Sequence, residues 1–82
     1  MKFTGNITRE SNSNWKCVVW EDSVNELGTG KPVKVKTMID KHEFLDTFLP
    51  VGGMHMLPLR ASVLTKIKKD LGDLINVDIE LI

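Results

Sequence analysis

The chain has 82 residues, of which 41% are hydrophobic and 27% are charged. These proportions are ordinary for one soluble globular domain and argue against disorder. Eleven basic residues balance eleven acidic ones, so no net field attracts nucleic acid or anionic lipid. No apolar run reaches the roughly 18 residues that a transmembrane helix needs, and the N-terminus lacks the apolar core of a signal peptide. We therefore expect a cytoplasmic domain.

The first half of the chain predicts three strands and one short helix. Residues 2–8 alternate in polarity, which indicates a strand. WKCVVW is rich in β-branched and aromatic residues and predicts a second strand, whose core face we assign to Trp15, Cys17 and Val19. Residues 21–30 combine capping residue types with terminal glycines, as a single helical turn would. KPVKVKTMID then alternates as a third strand.

The second half predicts three more strands and a longer helix. HEFLDTFL and MHMLPL indicate the fourth and fifth strands, joined by a turn at Gly52 and Gly53. Residues 61–71 carry apolar side chains at helical spacing, and Gly72 is the expected helix stop. DLINVDIELI alternates more regularly than any other segment and predicts the last strand.

The order strand, strand, helix, strand therefore occurs twice. Ser23 and Val24 match Ser62 and Val63 at a spacing five residues shorter than that of the residues that follow, so a helix five residues longer is expected in the second copy. The following segments, LGTGKPVKV and LGDLINVDI, match at Leu27 with Leu71, Gly28 with Gly72, Val33 with Val77 and Val35 with Ile79.

Each half would leave an open edge and an apolar face that the other half can cover. We therefore predict a mainly β protein: one domain, residues 1–82, folded as a small closed double-split barrel of about six strands. Its pseudo-twofold ββαβ repeats span approximately residues 1–39 and 40–82, with one short and one longer helix at the ends. The expected core residues are Phe3, Ile7, Trp15, Cys17, Val19, Leu27, Val33, Val35, Phe44, Phe48, Leu57, Leu64, Ile67, Leu71, Ile75, Val77 and Ile79.

Two resemblances support the barrel. The segment LPLRASVLTKIKKDLGDLINVDI resembles AbrB-like swapped-hairpin barrels, which bind DNA as dimers. Over nearly its whole length the chain looks like a small prokaryotic domain-of-unknown-function family, on the basis of Trp15, LGTGKPVKV, Ile39-Asp40, PVGGMHMLPL and Gly72-Asp73. That resemblance implies a double-split barrel, found alone or fused to a helical domain related to OmpD-associated proteins. It implies no activity.

The segment PVGGMHMLPL has the most unusual composition in the chain. Its paired glycines could present amides to an anion, but a hairpin turn is the simpler interpretation. His55 is a candidate for acid–base work, although a hydrogen-bonded structural histidine is more common. We name Gly52, Gly53, Met54, His55 and Trp20 as candidate ligand-binding residues.

Two other groups of charged residues have competing interpretations. Asp46 lies between Phe44 and Phe48 on one strand face, where it could be a structural carboxylate satisfied by the backbone or a functional one. The alternative site, for nucleic acid, consists of Lys34, Lys36, Lys66, Lys68 and Lys69. Charge on the solvent face of amphipathic elements is the simpler explanation of these lysines, and we prefer it.

No nucleophile–base pair, paired-carboxylate motif or metal-ligand spacing is present, so we expect no enzyme, no metal and no cofactor. Cys17 is the only cysteine, which is typical of a reducing compartment. The function expected is a non-catalytic module that binds a small molecule or a protein. Nucleic-acid binding is the alternative, membranes are not expected as partners, and the oligomeric state expected is a monomer or a weak homodimer.

Overall fold

Seven strands and two short helices make up the computed structural model, which describes residues 1–82. The elements in chain order are β1 (Lys2–Asn6), β2 (Thr8–Arg9), β3 (Lys16–Trp20), α1 (Ser23–Leu27), β4 (Val33–Ile39), β5 (His42–Val51), β6 (Met54–Pro58), α2 (Ala61–Ile67) and β7 (Leu74–Leu81). The first predicted strand is divided at Ile7 into β1 and β2, which explains why seven strands are present where about six were expected. Neither helix has the length and apolar character needed to cross a membrane.

All neighbouring strands are antiparallel, in the order β1-β7-β4-β5-β6-β3-β2. Because β2 follows β1 directly in the chain, the two ends of this order meet and the sheet curls into a nearly closed barrel. β5 pairs with a different strand along each part of its length, as the β1 and β2 segment does: residues 42–48 pair with β4, and residues 49–51 pair with β6. The predicted double-split barrel is confirmed.

The strand pairing also has the predicted twofold repeat. The first strand, β3, α1 and β4 of one half correspond to β5, β6, α2 and β7 of the other. The pair β1–β7 corresponds to β5–β4, and the pair β2–β3 corresponds to β5–β6. Phe3 pairs with Val77, and Phe48 pairs with Val33. Phe3 and Phe48 therefore occupy equivalent positions in the two halves.

Aromatic rings fill the centre of the barrel. Trp20 stacks on Phe3 with ring centroids 5.0 Å apart and contacts Phe48 at 5.6 Å. Aliphatic side chains from both halves surround these rings, and burying them from water is the main favourable contribution to folding. The buried members of this core are Ile7, Val18, Trp20, Val35, Ile39, Phe48, Leu57, Leu59, Val63, Leu64, Ile67, Ile75, Val77 and Ile79.

β1 passes very close to β3 near the barrel closure. A Cβ atom at Gly5 would lie 2.8 Å from Val18 Cγ2 and 3.4 Å from the Val19 carbonyl oxygen. No larger side chain fits there without a shift of β3. Gly5 therefore serves the close approach of two strands.

Two predicted core residues lie at the surface instead. Trp15 is 55% exposed, while Val18 and Trp20 line the barrel, so the core face of β3 was assigned to the wrong side. Both faces of this strand are apolar, and Cys17 and Val19 pack outside the barrel beside Val51 and Met56. Alternation alone could not choose between them.

The longer helix, α2, ends at Ile67 rather than at residue 71. It has 7 residues against 5 in α1, so it is longer by two residues and not by the five expected. Lys68 adopts a left-handed conformation with φ of 56° and caps α2. The apolar face made by Val63, Leu64 and Ile67 ends at this point, so further helix would bury little. Leu71 lies in the following turn and is 39% exposed.

Candidate functional site

Gly52 and Gly53 form the two-residue turn of the β5–β6 hairpin. Their φ angles are 52° and 79°, and Val51 pairs with Met54 across the turn. Two consecutive positive φ angles are what the preferred two-residue hairpin turns require, and glycine adopts them without strain. The hairpin interpretation is confirmed.

His55, directly after this turn, points into the molecule. It is fully buried, and Phe48 meets its ring edge-on. Its Nδ1 lies 2.7 Å from the Ser23 hydroxyl, and its Nε2 lies 2.8 Å from the Lys31 carbonyl oxygen. Its backbone N–H also donates to the Ser23 Oγ, at 2.8 Å. The imidazole therefore ties β6 to α1 and to the loop before β4.

The five candidate ligand residues do not share one surface. Gly52 and Gly53 are exposed and Met54 is half-buried, whereas His55 and Trp20 lie in the interior with 0% and 5% exposure. Trp20 is thus a core residue, in place of the surface contact suggested for it. A ligand at the turn would meet mainly glycine backbone.

The candidate lysines are interleaved with carboxylates. Lys34 is exposed on β4, while Lys36 on the same strand lies 3.4 Å from Glu80. In and after α2, Lys66 is exposed and Lys68 and Lys69 border a shallow cavity of about 390 Å³. Lys16, Asp70 and Asp73 line the same cavity. Neither lysine group forms an uninterrupted basic surface.

A different place combines exposed apolar surface with a sheltered charge. β6 pairs with β5 only as far as Met56 opposite Leu49 and then turns away to follow β3. A groove of about 460 Å³ opens beside this split, a volume within the range of small-molecule sites. Its lining residues are Trp15, Lys16, Asp46, Pro58, Leu59, Arg60 and Ala61.

Asp46 is the sheltered charge in this groove. Its side chain is only 13% exposed, and the one cation near it is Arg60, whose Nη2 lies 3.6 Å from the carboxylate. Burial raises the pKa of Asp46 above its ordinary value, and the positive charge of Arg60 opposes part of that rise. Of the two sequence interpretations, backbone donors do not satisfy this carboxylate, because no hydrogen bond to it is present.

Trp15 forms the apolar wall of the groove. Its main chain is fixed by the β2–β3 turn, where its carbonyl accepts the Glu10 N–H at 2.8 Å. The Glu10 carboxylate in turn accepts backbone N–H groups of Asn12 and Ser13, which lowers the pKa of Glu10. Trp15 is 55% exposed, so this hydrogen-bonded turn presents an aromatic side chain to solvent.

Lys16, the next residue, does not neutralise Asp46. Its ammonium lies 2.7 Å from Asp70, and this hydrogen bond lowers the pKa of Asp70. Asp46 is therefore left with Arg60 alone as a partner at a long distance. The sequence marked Asp46 as unusual and Trp15 as aromatic, but nothing in it indicated that they face the same groove.

The fold and the site together define the class of protein. It is a small β-barrel with two interlocked halves and a groove at the point where one strand leaves its neighbour. A family model described as "Domain of unknown function (DUF1905)" matches residues 3–79, and the chain belongs to this family. No curated protein matches the sequence significantly.

Proposed function

We propose that this domain is a non-catalytic binding module whose ligand occupies the groove between Trp15 and Asp46. The observation that carries the proposal is an exposed indole beside a carboxylate that is mostly buried yet weakly paired. Burying a charged carboxylate without close donors costs free energy. A perturbed carboxyl in a cleft is typical of sites that act on or bind a ligand.

The chemistry of the groove favours a ligand with a cationic or N–H-rich group attached to a flat apolar part. An ammonium or guanidinium would donate to the Asp46 carboxylate and also meet the face of Trp15, where the ring quadrupole attracts cations. Arg60 competes only weakly, because it is 62% exposed and its contact with Asp46 is long. Proteins bearing such a group on an exposed segment fit the same description.

Non-catalytic action is supported by the surroundings of the only serine–histidine pair. Ser23 and His55 are both fully buried, and both imidazole nitrogens already have partners. A nucleophile has to reach its substrate, and these two side chains lie inside the barrel wall. Within the groove, no serine, cysteine or histidine accompanies Asp46.

The test is a titration with benzylamine, phenethylamine and phenylguanidine, followed by two-dimensional NMR and by tryptophan fluorescence. We expect shifts at Trp15 and around Asp46, with Trp20 unaffected. Asp46→Asn should weaken binding about tenfold, the magnitude of one charged hydrogen bond. Asp78→Asn, an exposed carboxylate on β7, is the matched control and should bind like the wild type. Equal binding by both variants would refute the proposed site.

Nucleic-acid binding remains the alternative, and it depends on the AbrB-like resemblance. It would use Lys34, Lys36, Lys66, Lys68 and Lys69, and it predicts affinity that collapses between low and moderate salt. The carboxylates among these lysines give it no particular support. Duplex DNA that shifts these five residues, leaves Trp15 unchanged and dissociates at moderate salt in a gel-shift assay would replace our proposal.

The setting that we propose is the bacterial cytoplasm. Cys17 is a buried free thiol, and burial raises its pKa, so it stays protonated and unreactive in a reducing compartment. The family resemblance adds that the barrel can be fused to a helical domain related to OmpD-associated proteins. A small binding module is suited to such a fusion.

A further inference from the structure

The open edge of β5 borders this groove, and its main-chain groups point outward. The Phe44 carbonyl faces β4, where it accepts the Thr37 hydroxyl at 3.5 Å, whereas the Leu45 carbonyl faces away and accepts Arg60 Nη2 at 3.4 Å. Main-chain groups of alternate residues point to opposite edges of a strand. The N–H and C=O groups of Glu43, Leu45 and Thr47 are therefore directed to the edge away from β4.

No strand covers that edge over residues 42–48. β6 pairs with β5 only at residues 49–51, and no turn or loop hydrogen bond reaches the backbone of this segment. The one donor present is the exposed side chain of Arg60. An unpaired edge of this kind is a template for an additional strand.

We propose that the occupant of the edge is an extended peptide segment that carries an arginine or lysine, added as a strand antiparallel or parallel to β5. This proposal rests on the binding function proposed for the groove. Residues 42–48 contain Glu43 and Asp46 and no lysine or arginine. The cations Lys16 and Lys36 beside them are already paired with Asp70 and Glu80, so a basic segment complements the charge of the strand. Its cationic side chain reaches Asp46 and Trp15, while a neighbouring apolar side chain covers Leu45, which is 68% exposed.

Without a peptide, Arg60 protects the open edge of β5. It holds the Leu45 carbonyl and the Asp46 carboxylate, the two acceptors that the peptide needs. Charged side chains over an open edge are a common protection against unwanted strand pairing. Arg60→Ala should therefore tighten peptide binding, by about threefold, because an exposed ion pair contributes little.

The probe is an array of synthetic heptapeptides with arginine at the centre and varied flanking residues. The best binder is resynthesised with N-methyl groups on alternate amides, and each version is titrated against the wild-type chain. Methylation of the amides that face β5 should weaken binding by about tenfold or more, while methylation of the opposite set should change it by less than about threefold. Hydrogen exchange at Leu45 and Thr47 should slow on binding. Equal sensitivity of the two sets would overturn the strand model.

Variants of the chain give an independent measurement. Leu45→Pro removes the outward N–H but leaves the hydrogen bonds to β4, so it should abolish peptide binding. Leu45→Ala keeps the N–H and should retain most of the peptide affinity. If arylalkyl amines bind at Asp46 but no peptide protects Leu45, this inference fails and the proposed function stands. If neither arylalkyl amines nor peptides bind, both this inference and the proposed function fail. Dimerisation that protects Leu45 without peptide would assign the edge to a second copy and overturn the proposal.

Discussion

His55 joins three parts of the chain through its two ring nitrogens. A carbonyl oxygen can only accept, so the bond to Lys31 assigns the proton to Nε2. Nδ1 lies 2.7 Å from the Ser23 oxygen, and the same oxygen accepts the His55 backbone N–H. Every polar atom in this buried group has a partner. The imidazole is therefore a structural element.

Removing one hydroxyl should expose how much this arrangement contributes. Ser23→Ala leaves the His55 N–H and Nδ1 buried without a partner, so we expect a loss of about 2–3 kcal/mol in the free energy of unfolding. Ser62→Ala is the matched control, because Ser62 matches Ser23 in the sequence repeat and also lies in the first turn of a helix but is exposed. Urea denaturation measures both. A loss below about 0.5 kcal/mol for Ser23→Ala would contradict the network.

Asp46 should destabilise the fold at neutral pH. Its folded pKa is raised, first by burial, so protonation favours the folded chain. This contribution to stability is complete at low pH and is lost as the pH rises through the raised pKa. Asp46→Asn, which is neutral at every pH, should thus be more stable than the wild type at pH 7, by up to about 1 kcal/mol.

The pH dependence distinguishes this explanation from a simple packing effect. The advantage of Asp46→Asn over the wild type should disappear near pH 3, where the wild-type carboxyl is protonated too. Urea midpoints at the two pH values measure it, with Asp78→Asn as the control for loss of one exposed charge. An advantage of the same size at both pH values would show that ionisation of Asp46 is not the cause.

Among the elements, both the position and the buried face of β7 were predictable from sequence. For β3 the strand was predictable, but its buried face was not. In β7 the buried residues Ile75, Val77 and Ile79 alternate with polar ones, so a single face can point inward. In β3 both Cys17 and Val18 are fully buried. Such a strand has no polar face, and which side lines the barrel depends on its neighbours β2 and β6.

The candidate groove was less predictable than the strands. The sequence shows Asp46 as unusual because Phe44 and Phe48 flank it on the same face of its strand. Its only ion-pair partner, Arg60, comes after β6, and Trp15 comes from the other half of the chain. These residues meet because β6 leaves β5 after Met56, and the point at which two strands separate has no local sequence signal.

The close passage of β1 over β3 requires a residue without a side chain at Gly5. Gly5→Ala would place a methyl group 2.8 Å from Val18 Cγ2, so we expect a loss of about 1–3 kcal/mol in stability. Gly30→Ala is the matched control, because no atom lies within 4 Å of the added group. In a double-mutant cycle, Val18→Ala should reduce the cost of Gly5→Ala, since the two sites are in contact. Additive losses would contradict the steric explanation.

At the scale of the whole molecule, the two repeats are interlocked rather than adjacent. The pairs β1–β7, β3–β6, β4–β5 and β4–β7 join residues 1–39 to residues 40–82, whereas only β2–β3 and β5–β6 lie within one half. Each half has only one strand pair of its own, and the single core draws residues from both halves. The chain should therefore unfold as one cooperative unit.

That expectation can be measured on the intact chain. Far-ultraviolet circular dichroism reports the strands of both halves, and the fluorescence of Trp20 reports the core. The two measurements should give the same urea midpoint. A Trp15→Phe variant leaves Trp20 as the only fluorescent tryptophan. Hydrogen exchange in β4 and β7 should share one opening free energy. Separate transitions for the two halves would contradict the interlocked arrangement.

The pairing of the first residue with the last strand makes the polypeptide nearly a ring. Met1 and Ile79 exchange backbone hydrogen bonds, from the Ile79 N–H to the Met1 carbonyl at 2.6 Å and from the Met1 amine to the Ile79 carbonyl at 3.1 Å. A circular permutant that joins Ile82 to Met1 through a short glycine-serine linker and opens between Asp40 and Lys41 should fold to the same barrel with the order of its halves exchanged. Its NMR spectrum should overlay that of the parent except near the old and new ends.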